Sequence, residues 1–240
     1  MRDKYHFMSE INNFSVLHNY FDNNAMLNIF SKEEKEVLRS ERKEIIFKKG
    51  DLILEEGKIP TGIFLIKEGT AKVFKIGFTG KEQIIRFLKA GDMIGYRSLL
   101  TGEVFGSSSA AISTVKVEFF PGELFLKMLQ ENPSFSFEML KLISKQLGDA
   151  AETITTLAQK TVRERLAEVL MMLEEQLGND NENYINISLT REEMANLIGT
   201  ATESAIRLIS EFKNDGLIAV QGRRIKIVNR EMIKKLAHVG

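Results

Sequence analysis

No cysteine occurs among the 240 residues, which removes thiolate iron–sulfur ligation, a thiol switch, a structural disulfide and a thiolate zinc site. Histidine is nearly as scarce. His6, His18 and His238 lie near the two ends, and none stands at a metal-like spacing from Asp or Glu. A histidine-ligated haem has only His6 and His18 to draw on, so neither a metal nor a cofactor is expected. Long apolar runs are missing too: residues 169–173 are typical of the longest, far short of a bilayer span. The opening MRDKYHFMSE lacks the apolar centre of a signal peptide, and the expected location is cytoplasmic. No Ser-His-Asp, Cys-His, phosphate-loop or metal-dyad pattern appears, so an enzyme is not expected.

Excess charge is a further absence. Lys and Arg total 33 and so do Asp and Glu, which by itself speaks against a nucleic-acid partner. The balance is uneven along the chain, however. Residues 186–240 hold nine basic side chains against six acidic ones, a modest excess near the C-terminus.

What is present there is a helix, a tight turn and a second helix, in TREEMANLIGTATESAIRLISEF at residues 190–212. Gly199 permits positive φ at the turn, and Ala195 is small enough for the helices to cross closely. Met194, Ile198, Ala205 and Leu208 are spaced for the buried faces. Thr190 with Glu193, and Thr200 with Glu203, match the capping box that opens a helix. Thr202, Glu203, Ile206 and Arg207 then fall outside the buried stripe, where a recognition helix reaches base edges. The same spacing also fits Glu203 as a capping residue and Arg207 as a solvated charge. Downstream, LIAVQGRRIKIV at residues 217–228 reads as two alternating strands, with Arg223 and Arg224 at the tip suited to phosphates. The whole is a winged helix-turn-helix.

Residues before this unit have another texture. Glycines punctuate short β-branched and aromatic runs, and residues 62–67, 70–76, 83–88 and 114–120 are strand-length. A jelly-roll type of β domain follows, so the fold class is α+β. Between the two lies a helical stretch opened by Asn132-Pro133, in which Leu140, Ile143, Leu147, Ala150, Ile154 and Leu157 recur in steps of three and four. That is a heptad seam and points to a homodimer. A helix packed on its own β domain is the alternative the same spacing allows. The expected division is 1–132 for an N-terminal extension and β-roll, 133–158 for the dimerisation helix, and 159–240 for the DNA-binding domain, with a hinge at 159–165. The role of the extension before about Phe30 is not disclosed.

The motifs GIFLIKEGTAKV (62–73), GDMIG (91–95), ENPSF (131–135) and LTREEMANLIGTATESAIRLISEF (189–212), in this order, resemble the Crp/Fnr superfamily of transcription regulators over nearly the whole chain. The resemblance implies a cyclic-nucleotide-binding-like β-roll, a dimerisation helix and a winged helix-turn-helix. It places Glu203 and Arg207 at base-reading positions, Arg191 and Ser204 at phosphate contacts, and Thr202 at a position that varies with the half-site. With Thr200, Arg223 and Arg224 these form the expected DNA-binding set, on a palindrome whose half-site holds a TGA-like core. RNA polymerase is the partner implied. The iron–sulfur branch of the family is excluded by the missing cysteines.

One departure from the family's pattern matters. Where cyclic-AMP binders carry a glutamate for the ribose and an Arg-Ser pair for the phosphate, this chain reads GYRSLLTGEVFGSSSA, with Tyr96 at the glutamate and Phe105 and Gly106 at or beside the pair. Ala150 and Ala151 stand where such binders present hydroxyls to the base. The effector domain is therefore expected not to bind cyclic AMP. Gly95, Tyr96, Arg97, Ser98, Ser107 and Ser108, with Ser109, remain candidates for holding another small anion of unknown identity. Arg97 in an internal salt bridge, with the serines in a loop, is the other reading. A small-ligand sensor acting mainly through protein contacts would use the β domain but leave residues 190–228 unexplained.

Overall fold

The computed structural model describes residues 29–78 and 80–238. His6, His18 and the chain before Ile29 lie outside the described residues. The described residues form two compact units, one of residues 29–76 and 84–144, the other of residues 77–78, 80–83 and 145–238. The order of elements is α1 (Lys32–Glu41), β1 (Lys43–Phe47), β2 (Leu52–Leu54), β3 (Gly62–Glu68), β4 (Ala71–Ile76), β5 (Glu82–Leu88), β6 (Met93–Ile94), α2 (Tyr96–Thr101), β7 (Ser108–Ala111), β8 (Val115–Pro121), α3 (Gly122–Glu131) and α4 (Pro133–Gln159). Then come α5 (Val162–Leu177), α6 (Arg191–Ile198), α7 (Thr202–Asn214), β9 (Ile218–Gln221), β10 (Arg224–Ile227) and α8 (Arg230–Ala237).

The first unit is built on two four-stranded sheets, ordered β1-β8-β3-β6 and β2-β7-β4-β5. Alternation along β8 turns Val115 and Val117 into the roll, where they meet Ile66, Leu88, Ile94 and Phe105. The long apolar run of β3 has a separate cause: the strand is covered on both faces. Ile66 faces the roll interior, whereas Ile63 packs outward with Phe125, Met128, Phe135 and Met139 of the helices. Gly69 joins β3 to β4 at φ 85°, and a Cβ there would lie 2.1 Å from the Thr114 carbonyl, so no other residue fits without moving backbone.

The four strand-length runs named above are β3, β4, β5 and β8. The serine segment differs from the loop reading: Ser108 and Ser109 belong to β7, paired with Phe74 and Val73 of β4. Strand pairing satisfies their backbone groups, a partner that the local serine pattern does not show. Asn132 opens α4 as its composition suggests. Its Oδ1 accepts the Phe135 N–H at 3.0 Å while Pro133 occupies the first helical position, where a missing N–H costs nothing.

The second unit packs α5, α6, α7, the β9–β10 hairpin and α8 around Leu166, Leu170, Ile198, Ile209, Phe212 and Ile233. Thr161 and Glu164 form a reciprocal capping box at the start of α5, so one residue, Lys160, separates α4 from that cap.

Candidate nucleic-acid interface

The helix-turn-helix is assembled by local bonds. Thr190 and Glu193 cap α6 reciprocally, with Glu193 N–H donating to the Thr190 hydroxyl at 3.0 Å and Thr190 N–H to the Glu193 carboxylate at 2.8 Å. Gly199 ends α6 in the left-handed conformation, φ 65° and ψ 52°. The next residue, Thr200, also donates its N–H to the Ala195 carbonyl, at 3.0 Å.

That bond corrects the second expected capping box. Thr200 is spent in closing α6, and α7 begins one residue later, with Ala201 at the N-cap and no side-chain cap. Glu203 is then the second helical residue rather than the third, and it projects into solvent. The buried stripe of α7 is also displaced: Ala205, Ile209 and Phe212 are buried, whereas Leu208 is only half-buried. Counting four and seven from Ala205 gives that stripe directly. The opposite face presents Glu203, Ile206 and Arg207, with Thr202 and Ser204 half-buried at its edge. Arg207 reaches Glu211 only at 3.9 Å, and its side chain is 78% exposed.

The arginines around this face divide into two kinds. Arg223 is exposed at the hairpin turn beside Gly222, where φ is 61°. Arg191, at the start of α6, donates from Nη2 to the Gly222 carbonyl at 3.0 Å and so ties the wing to the first helix, while its Nη1 is buried without a partner among the described residues. Arg224 is otherwise engaged. Its guanidinium meets Asp180 at 2.5 Å and Glu182 at 2.8 Å and lies over the Tyr184 ring, 4.3 Å from its centre. The hydrogen bond from Arg224 holds the Asp180 carboxyl below its ordinary range and raises Arg224 in turn. Arg224, expected among the phosphate contacts, thus anchors the loop before α6 to the wing in this structure. Both carboxylates lie about 40 residues upstream, outside the reach of any local pattern.

Arg165, at the end of the expected hinge, donates from Nε to Ile198 O at 2.8 Å and from Nη2 to Gly199 O at 3.2 Å. Its Nη1 reaches Leu157 O at 3.2 Å and Lys160 O at 3.0 Å. One guanidinium thus takes up unsatisfied carbonyls at the C-terminal ends of both α4 and α6. Lys160 adds bonds to Glu168 and to the Ala237 carbonyl.

Along α4 the apolar positions separate into two faces. Phe135 and Met139 are buried in the helix-covered core of the first unit. Leu140, Ile143, Leu147, Ile154 and Leu157 stay exposed, up to 72% at Leu147, and Ala150 is exposed with them. Packing on the β domain thus uses other residues than the heptad stripe.

The expected effector residues are only partly brought together. Arg97 is exposed and lies across Gly106, where a Cβ would come within 2.4 Å of its Nη2. Gly95 sits close to the Phe105 ring. Tyr96 departs: it is buried with Phe30, Met93 and Phe125 on the helix-covered side, so it does not face the roll interior. Ser98 is buried in α2, Ser107 is half-buried, and Ser108 Oγ accepts the Glu56 N–H at 3.0 Å. Ser109 is buried with its hydroxyl unpartnered among the described residues. As a site for a cyclic nucleotide the roll interior fits poorly: Phe105 is buried in its core, and among the described residues no acid or buried arginine is grouped there to meet a ribose and a phosphate. Among the described residues no cluster suits a metal ion, and no helix is long and apolar enough to cross a membrane.

Two stretches of the chain match known domain families. Residues 44–132 match the cyclic nucleotide-binding domain family and residues 164–236 the Crp-like helix-turn-helix domain family. Electron transport regulator A of Shewanella oneidensis is 31% identical over 199 residues, covering 82% of this chain and 79% of that protein. The fumarate nitrate reduction regulatory protein of Klebsiella oxytoca is 29% identical over the same shares. Among solved structures, a Crp/Fnr-family transcriptional regulator from Eubacterium rectale superposes with a TM-score of 0.77 at 20% identity, covering 92% of this chain and 99% of that one. FixK2 from Bradyrhizobium japonicum gives 0.71 at 21%, covering 81% and 96%. With a helix-turn-helix of this geometry and relatives that are regulators rather than enzymes, the chain belongs to the Crp/Fnr family of DNA-binding transcription regulators.

Proposed function

We propose that the protein acts as a homodimer that reads a palindromic site, with α7 of each protomer in a major groove. The observation that carries the reading is the exposed face of α7, where Glu203 and Arg207 stand clear of the buried stripe in the N-terminal half of the helix. Arg207 forks onto a guanine and Glu203 accepts from a cytosine amine. Arg191, Thr200, Thr202, Ser204 and Arg223 surround them as backbone contacts. The apolar stripe of α4 supplies the seam, and two-fold pairing sets the recognition helices about 34 Å apart. RNA polymerase is the protein partner, and the setting is cytoplasmic.

The effector domain works without cyclic AMP, as the packing of Phe105 and the outward burial of Tyr96 support. A ligand changes the output only through unequal affinity for the DNA-competent and incompetent dimers. Arg165, bonded to both α4 and α6, is the route by which the end of the dimer helix bears on the turn of the reading head. Selection from randomised duplexes tests the proposal. An inverted repeat with arms one helical turn apart is expected, and enrichment of single half-sites or of no sequence overturns it.

A further inference from the structure

The outer face of the sheet β1-β8-β3-β6 carries a cavity of about 340 Å³, on the side away from the roll interior. Its origin is plain from the strand period. Ile63, Leu65 and Lys67 alternate to the outside of β3, as Glu118 and Phe120 do on β8. Over them lies α1, whose Lys35, Leu38 and Arg39 share one face, with Arg42 just past its C-terminal end. Leu124 and Met128 of α3 and Phe135 of α4 complete the wall.

Two features of this cavity decide what would occupy it. Nine of the fourteen lining side chains are aliphatic or aromatic, enough to hold an apolar body. The charge is one-sided: four cationic side chains line the space against one carboxylate. That carboxylate, Glu118, is buried and already neutralised by Arg42 at 2.7 Å. Arg39 has only a 3.8 Å approach to Glu36, with both side chains largely in water.

We propose that this cavity binds an amphipathic monoanion, a medium-chain or aryl carboxylate, with its apolar body against Leu65, Phe120 and Met128 and its carboxylate at the α1 cations. An occupant bears on Phe135, the side chain that seats the first turn of α4. The binding claim itself stands on the cavity and does not depend on the DNA-binding reading.

Calorimetric titration of the full chain with sodium decanoate, and in parallel with the uncharged 1-decanol, tests it. Decanoate is expected to bind saturably at one site per chain with a dissociation constant on the order of tens of micromolar, and decanol about tenfold more weakly. Joint Lys35→Glu and Arg39→Glu substitution on α1 should weaken decanoate on the order of tenfold and leave decanol within about twofold. Leu38→Trp should fill the space and abolish both, and because the chain has no tryptophan its emission reports whether the new ring is buried. No saturable binding by the full chain, whatever fills the cavity instead, overturns the proposal. So does decanoate binding that survives Leu38→Trp with a buried ring, or a charge reversal that weakens both ligands equally.

Discussion

The reading head and the β-roll are both expected to hold a site, yet they relate to their sequence differently. The helix-turn-helix occupies 23 consecutive residues, 190–212, and nearly every bond that shapes it spans three to five positions, from the Thr190–Glu193 box to the Thr200–Ala195 closure. Residues of the roll meet across tens of positions, as where Ser108 takes the Glu56 N–H or Gly69 nests against Thr114. A site made by one contiguous segment inherits its geometry from helical periodicity. A site made between sheets depends on which of two faces each strand turns inward, and one residue of register exchanges them.

The largest expected effect breaks the comparison at the helix leading into both units. Leu147→Glu with Ile154→Glu places unpaired carboxylates in the proposed dimer seam, at a cost of several kcal/mol. Sedimentation equilibrium should show monomers that no longer bind the operator. Because both positions are exposed in the single chain, the thermal melt of the monomer should be little changed. Retained dimers would move the interface elsewhere.

Next is base reading. Arg207→Ala should cost about 1–3 kcal/mol at its own base pair and relax preference there, whereas Arg223→Ala should weaken all sequences alike and lower the salt slope by about one. Arg224→Ala should behave as neither. With its guanidinium committed to Asp180 and Glu182, its loss should lower the melting temperature and leave the salt slope unchanged. Binding series at several salt concentrations separate the three.

Arg165→Ala removes four carbonyl contacts at the ends of α4 and α6, so a loss of about 1–3 kcal/mol in stability is expected, with weaker operator affinity at unaltered dimerisation. Arg165→Lys, a single point donor, should restore only part of it. Full operator affinity in Arg165→Ala would remove this residue from the coupling route.

A smaller effect is expected in acid. The Glu164 carboxyl is lowered from 4.5 to about 2, chiefly by its hydrogen bond with His238 and then by those from Thr161. The unfolded chain therefore takes up this proton first as pH falls. The contribution to stability is present above about pH 4.5 and is lost as pH drops towards 2. Glu164→Gln should melt earlier than the parent at neutral pH, and the gap should close across that window. A gap independent of pH would assign the effect to packing.

Smallest of all is the response to cyclic AMP. Titration calorimetry with cyclic AMP or cyclic GMP should give no micromolar binding, and operator affinity should not move. A charged hydrogen bond to phosphate contributes about 1.5–3 kcal/mol, and the roll interior offers neither that nor a ribose acceptor. Micromolar binding that strengthened operator affinity would mean that Arg97 or the β7 serines had taken the anion.

The four strand runs, the helix from Pro133, the cap at Thr190 and the turn at Gly199 were legible because each is encoded by period, breaker or cap within a few residues. Where reading failed, a distant or competing partner was the cause. Thr200 matched a capping pattern but lost its place to the closing bond of α6, and the pairing of Arg224 with two carboxylates about 40 residues upstream had no local signal. At the expected hinge, residues 159–165, carbonyls from two helix ends converge on Arg165, an arrangement no local pattern shows. Neither the cavity beneath α1 nor the contribution of Glu118 to its wall has a signal in local pattern.

By itself the sequence determined the elements and their chemistry: no thiol, a helix-turn-helix, a glycine-punctuated roll, and a long helix with an apolar heptad stripe. Periodicity, capping and backbone freedom act over one or two turns and need no partner. Only the tertiary structure decided which residues of α4 are buried against its own domain and which stay bare, and which arginines are spent on internal carboxylates and carbonyls. Those outcomes depend on groups tens of residues apart competing for the same donors and the same apolar surface, and that competition exists only once the chain has folded.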